Sequence, residues 1–141
     1  MDLEEIRERL GNMEVWVNKS QAWWLETPSL DVEKMAHLMV DIGARLVTVT
    51  ASQAKESEFR MIYHWDLQGR LLNFVTTTQQ ITISSIAGIC PAADWIEREI
   101  HDYLAVDFAG RELPTLVLSE QDPPGIFSWN FQWKAKTGGH A

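Results

Sequence analysis

Three strand-like runs in close succession, Leu46–Thr50, Phe59–Trp65 and Leu71–Thr77, constrain this chain more than any other feature. The first is rich in β-branched residues, and the second alternates large side chains at Phe59, Met61, Tyr63 and Trp65. Such runs fit a pleated, half-buried surface. Asp66-Leu67-Gln68-Gly69 between the second and third reads as a hairpin turn. A sheet with one apolar face must be covered, and the flanking segments read as helices able to cover it.

Leu3 to Leu10 reads as a short charged helix ending near Gly11. Met13–Val17 and Ala22–Leu25 read as a hairpin through Asn18-Lys19-Ser20, although adjacent Trp23 and Trp24 break clean alternation. Ser29 or Asp31 can cap a helix whose Val32, Met35, Ala36, Met39 and Ile42 recur at helical spacing, with Gly43 as its stop. His37 lies on that helix and needs no ligand to explain it. Pro91 suits the first position of a helix running to about Leu104, with Cys90 as an indifferent cap. Leu113–Leu118 reads as a last apolar strand. The expected fold is α+β, a two-layer sandwich of a mixed sheet with helices on one face. Its expected domain spans residues 1–119, followed by a tryptophan-bearing tail at 120–141.

The Pro91 helix has two unlike sides when its residues are placed at roughly 100° per position. Ala92, Trp95, Ile96, Ile100 and Tyr103 share an apolar arc, whereas Asp94, Glu97, Arg98 and His101 lie opposite. Glu97 with His101, and Arg98 with Asp102, are then i,i+4 surface pairs. Glu99 falls between Trp95 and Tyr103, on the apolar arc. A carboxylate there either sits at the rim with its head in water or is received by a cation or N–H groups of another protein. Trp129 and Trp133 raise the same choice for the tail: aromatic rings there dock onto a partner or fold back on the domain.

The formal net charge of −8 disfavours nucleic acid and anionic membrane surfaces as partners. The single cysteine excludes an internal disulfide and any multi-cysteine metal or iron–sulfur site built by this chain alone. The N-terminus carries no apolar signal core, and no stretch approaches the roughly 18 apolar residues of a spanning helix, so a cytoplasmic protein is expected. No glycine-rich phosphate loop, nucleophile elbow, paired-His metal motif or dinucleotide fingerprint is present. Cys90 and His101 stand about 16 Å apart along a helix axis, too far for proton transfer. His64 belongs to the face of a strand.

The segments Gly43-Ala-Arg-Leu-Val-Thr-Val-Thr50, Ile62-Tyr-His-Trp-Asp66, Ser85-Ile-Ala-Gly-Ile-Cys-Pro-Ala-Ala-Asp-Trp-Ile-Glu-Arg-Glu-Ile-His-Asp102 and Val106-Asp-Phe-Ala-Gly110 occur in that order. Together they resemble the C-subunit family of respiratory NADH:quinone oxidoreductase, complex I, whose domain recurs in energy-converting NiFe hydrogenases and formate hydrogenlyase. The resemblance covers about residues 30–118. It implies an α/β two-layer sandwich without cofactor or chemistry of its own, bracing a NiFe-hydrogenase-like large subunit beside an iron–sulfur small subunit.

The resemblance also implies that contact with the membrane, on its inner face, comes only through the complex. The expected subunit interface is Trp95, Glu97, Arg98, Glu99, Asp102, Tyr103, Phe108, Trp129 and Trp133, and the resemblance implies structural and intersubunit ion pairs for the four charged helix residues. After the helix the family continues Gly-Ile-x-Phe-x-Gly-His-Pro-Asp-Leu-Arg-Arg, but here Ala105-Val-Asp-Phe-Ala-Gly-Arg-Glu-Leu-Pro-Thr-Leu116 stands instead. That loss and the missing basic C-terminal continuation count against a standard complex I subunit, while Gly43-Ala-Arg-Leu-Val-Thr48 and Tyr63-His-Trp-Asp66 resemble the hydrogenase branch more closely, and the short chain agrees. Membership of complex I itself in the same position, or a stand-alone binding module that kept the fold, are the alternatives.

Overall fold

The structure is a computed structural model, and it describes residues 1–12, 14–79, 82–118 and 121–128. Helix α1 (Leu3–Arg9) leads into a hairpin of β1 (Val17–Lys19) and β2 (Ala22–Glu26), then helix α2 (Val32–Asp41). The long strands β3 (Arg45–Lys55), β4 (Glu58–Leu67) and β5 (Arg70–Thr78) follow. Short β6 (Thr82–Ser84), helix α3 (Ala93–Leu104) and short β7 (Asp107–Ala109) complete the described elements.

Five strands form one sheet in the order β1-β2-β5-β4-β3. It is mixed, because β2 runs parallel to β5 while the other neighbours are antiparallel. The large alternating side chains of β4 do what their spacing predicts: Phe59, Met61, Tyr63 and Trp65 are all buried on one face, opposite Leu72 and Phe74 of β5. Helical Ile6, Met35, Met39, Ala93 and Ile100 join the same core. Trp65 donates its indole N–H to the sulfur of Met35 at 3.0 Å, tying α2 to the sheet centre. The expected α+β sandwich, with a mixed sheet and helices on one face, is the fold observed.

Local details depart from expectation where turns decide them. The β1–β2 turn is Ser20-Gln21, both at positive φ (55° and 62°), rather than Asn18-Lys19-Ser20. Lys19 pairs with Ala22, so a two-residue turn whose left-handed backbone matches the strand twist sets the register. The same device closes β4 to β5 at Gln68-Gly69, with φ of 53° and 86°, and there Gly69 takes the left-handed position without steric cost. Asp31, not Ser29, caps α2 by accepting from the Lys34 N–H at 3.1 Å.

Helix α3 starts at Ala93, with Ala92 at its cap and no side-chain cap bond, so neither Pro91 nor Cys90 takes its expected position. Pro91 instead lies in a turn in which the Ala93 N–H bonds to Cys90 O at 2.9 Å. Leu113–Leu118 is not a strand. The strand in that region is β7, which pairs in parallel with β6 around α3.

Candidate docking helix

Helix α3 buries Ala93, Glu97, Ile100 and Leu104, a stripe at helical spacing that is rotated from the one read off hydrophobicity alone. Hydrophobic patterning assigns acids to water, and Glu97 and Asp102 both break that rule. Glu97 is 1% exposed. Its carboxylate accepts from the Ser85 hydroxyl at 2.5 Å and the Ile86 backbone N–H at 2.8 Å, and pairs with the Arg111 guanidinium at 3.2 Å. Arg111 also bonds the carboxylate and backbone oxygen of Asp94, so one cation knits the first turn of α3 to the segment after β7. Burial pushes the Glu97 carboxyl above the ordinary carboxylate range, against the lowering pull of those same donors. Tyr63, whose buried hydroxyl is without a partner among the described residues, is raised too, first by burial and then by the charge of Glu97.

Asp102 is fully buried, and its Oδ2 collects three successive backbone N–H groups, from Leu116 (2.9 Å), Val117 (2.8 Å) and Leu118 (3.3 Å). This clasp accounts for the lack of a strand at the end of 113–118, because the N–H groups of 116–118 are turned inward around one carboxylate. Arg98 holds the same segment from the other side, donating to Pro114 O and Thr115 O at 3.0 Å each. The expected pairs Glu97–His101 and Arg98–Asp102 are therefore replaced. Arg98 lies 3.9 Å from Asp94, and His101 bonds Val106 O at 3.0 Å and lies 3.3 Å from Asp107.

Past Gln121 the chain returns to α3. The Gly125 N–H bonds Asp102 O and the Phe127 N–H bonds Tyr103 O, each at 2.8 Å. The Phe127 ring stacks on Tyr103 with centroids 4.7 Å apart.

The opposite side of α3 is different. Trp95 is 67% exposed, and Glu99 is exposed one turn further on, with no ion pair or hydrogen bond among the described residues. Of the nine residues expected at an interface, Trp95, Glu99 and half-buried Tyr103 share this outward surface, and Arg98 lies half-buried beside the strap it holds. Glu97, Asp102 and Phe108 are inside the domain, Phe108 as the central residue of β7. Trp129 and Trp133 lie outside the described residues, as does most of the 120–141 tail.

Ser85, Arg111 and Phe127 are the partners that sequence reading missed. They stand 12, 14 and 24 positions from the residues they hold, Glu97 for the first two and Tyr103 for the last, and no local spacing signals such contacts.

His64, on the other face of the sheet, has both ring nitrogens engaged, with Thr50 Oγ1 at 2.8 Å and Asn73 Oδ1 at 2.6 Å. Asn73 donates its amide to Trp23 O at 3.2 Å, so its oxygen faces the ring and the hydrogen-bond network assigns the proton to Nδ1. Among the described residues no group of three or more His, Cys, Asp or Glu side chains stands close enough to hold a metal ion, and no helix is long and apolar enough to cross a membrane.

The comparisons with known proteins agree with this architecture. The model of the respiratory-chain NADH dehydrogenase 30 kDa subunit family matches residues 25–126, and the chain belongs to that family. A chain of the membrane-bound sulfane sulfur reductase, an archaeal respiratory membrane complex, shares the fold with a TM-score of 0.70 at 21% identity, over 87% of this chain and 76% of that one. The trypsin-resistant fragment of Nqo5 does so with a TM-score of 0.63 at 18% identity, over 78% of this chain and 94% of the fragment. No curated protein sequence matches the chain.

Proposed function

We propose that this chain is a non-catalytic structural subunit in the hydrophilic arm of a membrane-bound, ion-translocating redox complex, bracing the large subunit through the outer side of α3. Family membership over residues 25–126 supports the setting, and one observation carries the role. Helix α3 commits its buried carboxylates to internal donors while leaving Trp95 exposed beside a Glu99 that has no partner among the described residues. A tryptophan two-thirds exposed on a rigid helix is the kind of anchor that interface cores use. The chain is then held at the inner face of the membrane only through its partners, a large subunit and an iron–sulfur small subunit. Electron transfer belongs to those partners.

An energy-converting NiFe hydrogenase is the assignment favoured within this setting. Arg111 supports it: it occupies the place where the complex I pattern has histidine, and here it is consumed internally by Asp94 and Glu97. The equivalent place in a quinone-reducing complex is the second reading, favoured by the likeness to Nqo5.

Affinity purification of the tagged full-length chain from gently solubilised membranes tests the proposal. Stoichiometric recovery with a NiFe-type large subunit and an iron–sulfur subunit is expected. Recovery as a solitary monomer, or substrate turnover by the isolated chain, would sink it.

A further inference from the structure

The groove beside the docking helix has features that specify more than a flat contact. It encloses about 410 Å³, and its lining includes Thr48–Ala51 of β3 together with Glu99, Tyr103 and Phe127. Four consecutive strand residues line it although their side chains alternate between the two faces of the sheet. What those four residues share is the outer backbone edge of β3.

β3 is the last strand of the sheet, and among the described residues no strand pairs with its far side. Thr48–Ser52 lies in a regular run between two register irregularities, long enough to template another strand. Exposed edges of this length are usually blunted by proline or by lysine in mid-strand. Here β3 holds no proline, and its charges sit only at its ends, Arg45 paired with Asp66 at 3.3 Å and Lys55 at the far terminus. Val47 on the same strand is 44% exposed.

The charge balance of the groove is lopsided. Among the described residues Glu99 is its only carboxylate and no lysine, arginine or histidine lines it, and Trp95 lies one turn before Glu99 on the helix. A complementary occupant brings one cation, received by Glu99 and lying against the indole face.

We propose that the partner engages this domain by adding a strand to the outer edge of β3, with a lysine or arginine of that strand seated on Glu99. This rests on the docking reading above and deepens it: backbone pairing along Thr48–Ser52 supplies most of the contact, and the Glu99 pair sets the register.

Hydrogen exchange on the complex recovered from membranes, compared with the free full-length chain, tests it. Peptides covering residues 48–52 are expected to exchange at least about tenfold more slowly in the complex. Reversing the charge with Glu99→Lys is expected to weaken association by at least about tenfold, since a partner cation then meets a like charge. At an exposed helix position this change leaves the fold intact, which thermal unfolding of the free variant verifies. If the complex forms but β3 exchanges alike in both states and Glu99→Lys binds normally, the strand proposal is overturned while the docking reading stands. Recovery of no complex removes both. Protection of β3 already present in the free chain would reassign the edge: to a second copy if it disappears on dilution, or to the chain's own C-terminus if it disappears on deleting residues 129–141.

Discussion

The two sides of α3 carry the same chemistry and opposite circumstances. On the inner side, Glu97 and Asp102 are buried and held by donors from Ser85, Ile86, Arg111 and residues 116–118, those of 116–118 all falling on Oδ2 of Asp102 while its Oδ1 has no partner among the described residues. On the outer side, Glu99 lies one turn from a bare tryptophan, with no donor from the described residues. A carboxylate is costly to bury only when unpaired. The inner acids organise segments far apart in sequence around one helix, and the outer acid is left to be satisfied from outside. The helix is thus a fastener within the domain and a surface beyond it, and substitutions should separate the two roles.

The largest expected effect is on the inner side. Glu97→Ala deprives Arg111, the Ser85 hydroxyl and the Ile86 N–H of their common acceptor, and should cost about 3–5 kcal/mol in chemical denaturation. A cost under about 1 kcal/mol would erase the distinction between the sides. Asp102→Ala should follow at about 2–3 kcal/mol, with amides of residues 116–118 exchanging faster before the sheet does.

The pH response sharpens the same contrast. Burial raises the Glu97 carboxyl above its ordinary value of 4.5, so the folded state holds the proton more tightly than the unfolded chain. Its contribution to stability is therefore fullest below about pH 4.5 and is lost as pH climbs through the raised value. Glu97→Gln cannot ionise, and its stability curve across that interval should be flatter than that of the parent. An unchanged slope would mean that the carboxylate is not desolvated in solution.

The smallest effects on stability belong to the outer side. Trp95→Ala and Glu99→Gln should each change unfolding free energy by no more than about 0.5 kcal/mol, because both are exposed and neither has a hydrogen bond or ion pair among the described residues. Both should nevertheless weaken recovery of the large subunit. A destabilisation above about 2 kcal/mol with intact assembly would show these residues to be structural after all.

The sheet was legible in the chain because its signals are local. The alternation of Phe59, Met61, Tyr63 and Trp65 and the turn at Gln68-Gly69 state pairing and facing within about a dozen residues. The helical spacing of Val32, Met35, Ala36 and Met39 did the same for α2. Helix α3 was legible as a helix but not in its orientation. Its inward acids meet Ser85, Arg111 and the backbone of 116–118, and a hydrophobicity pattern cannot anticipate a carboxylate whose donors arrive from 11 to 16 positions away. The same clasp turned the end of an apolar run expected as a strand, Leu113–Leu118, into a wrap around Asp102.

Periodicity and turn chemistry, acting between near neighbours, were enough to point to the sandwich, since each depends on residues close together in the chain. Which acid points inward, which tryptophan stays bare and which strand edge lies outermost were decided only when distant segments packed. Burial and hydrogen-bond satisfaction belong to the assembled fold, so the side of α3 that faces the protein and the side that faces outward could be told apart only there.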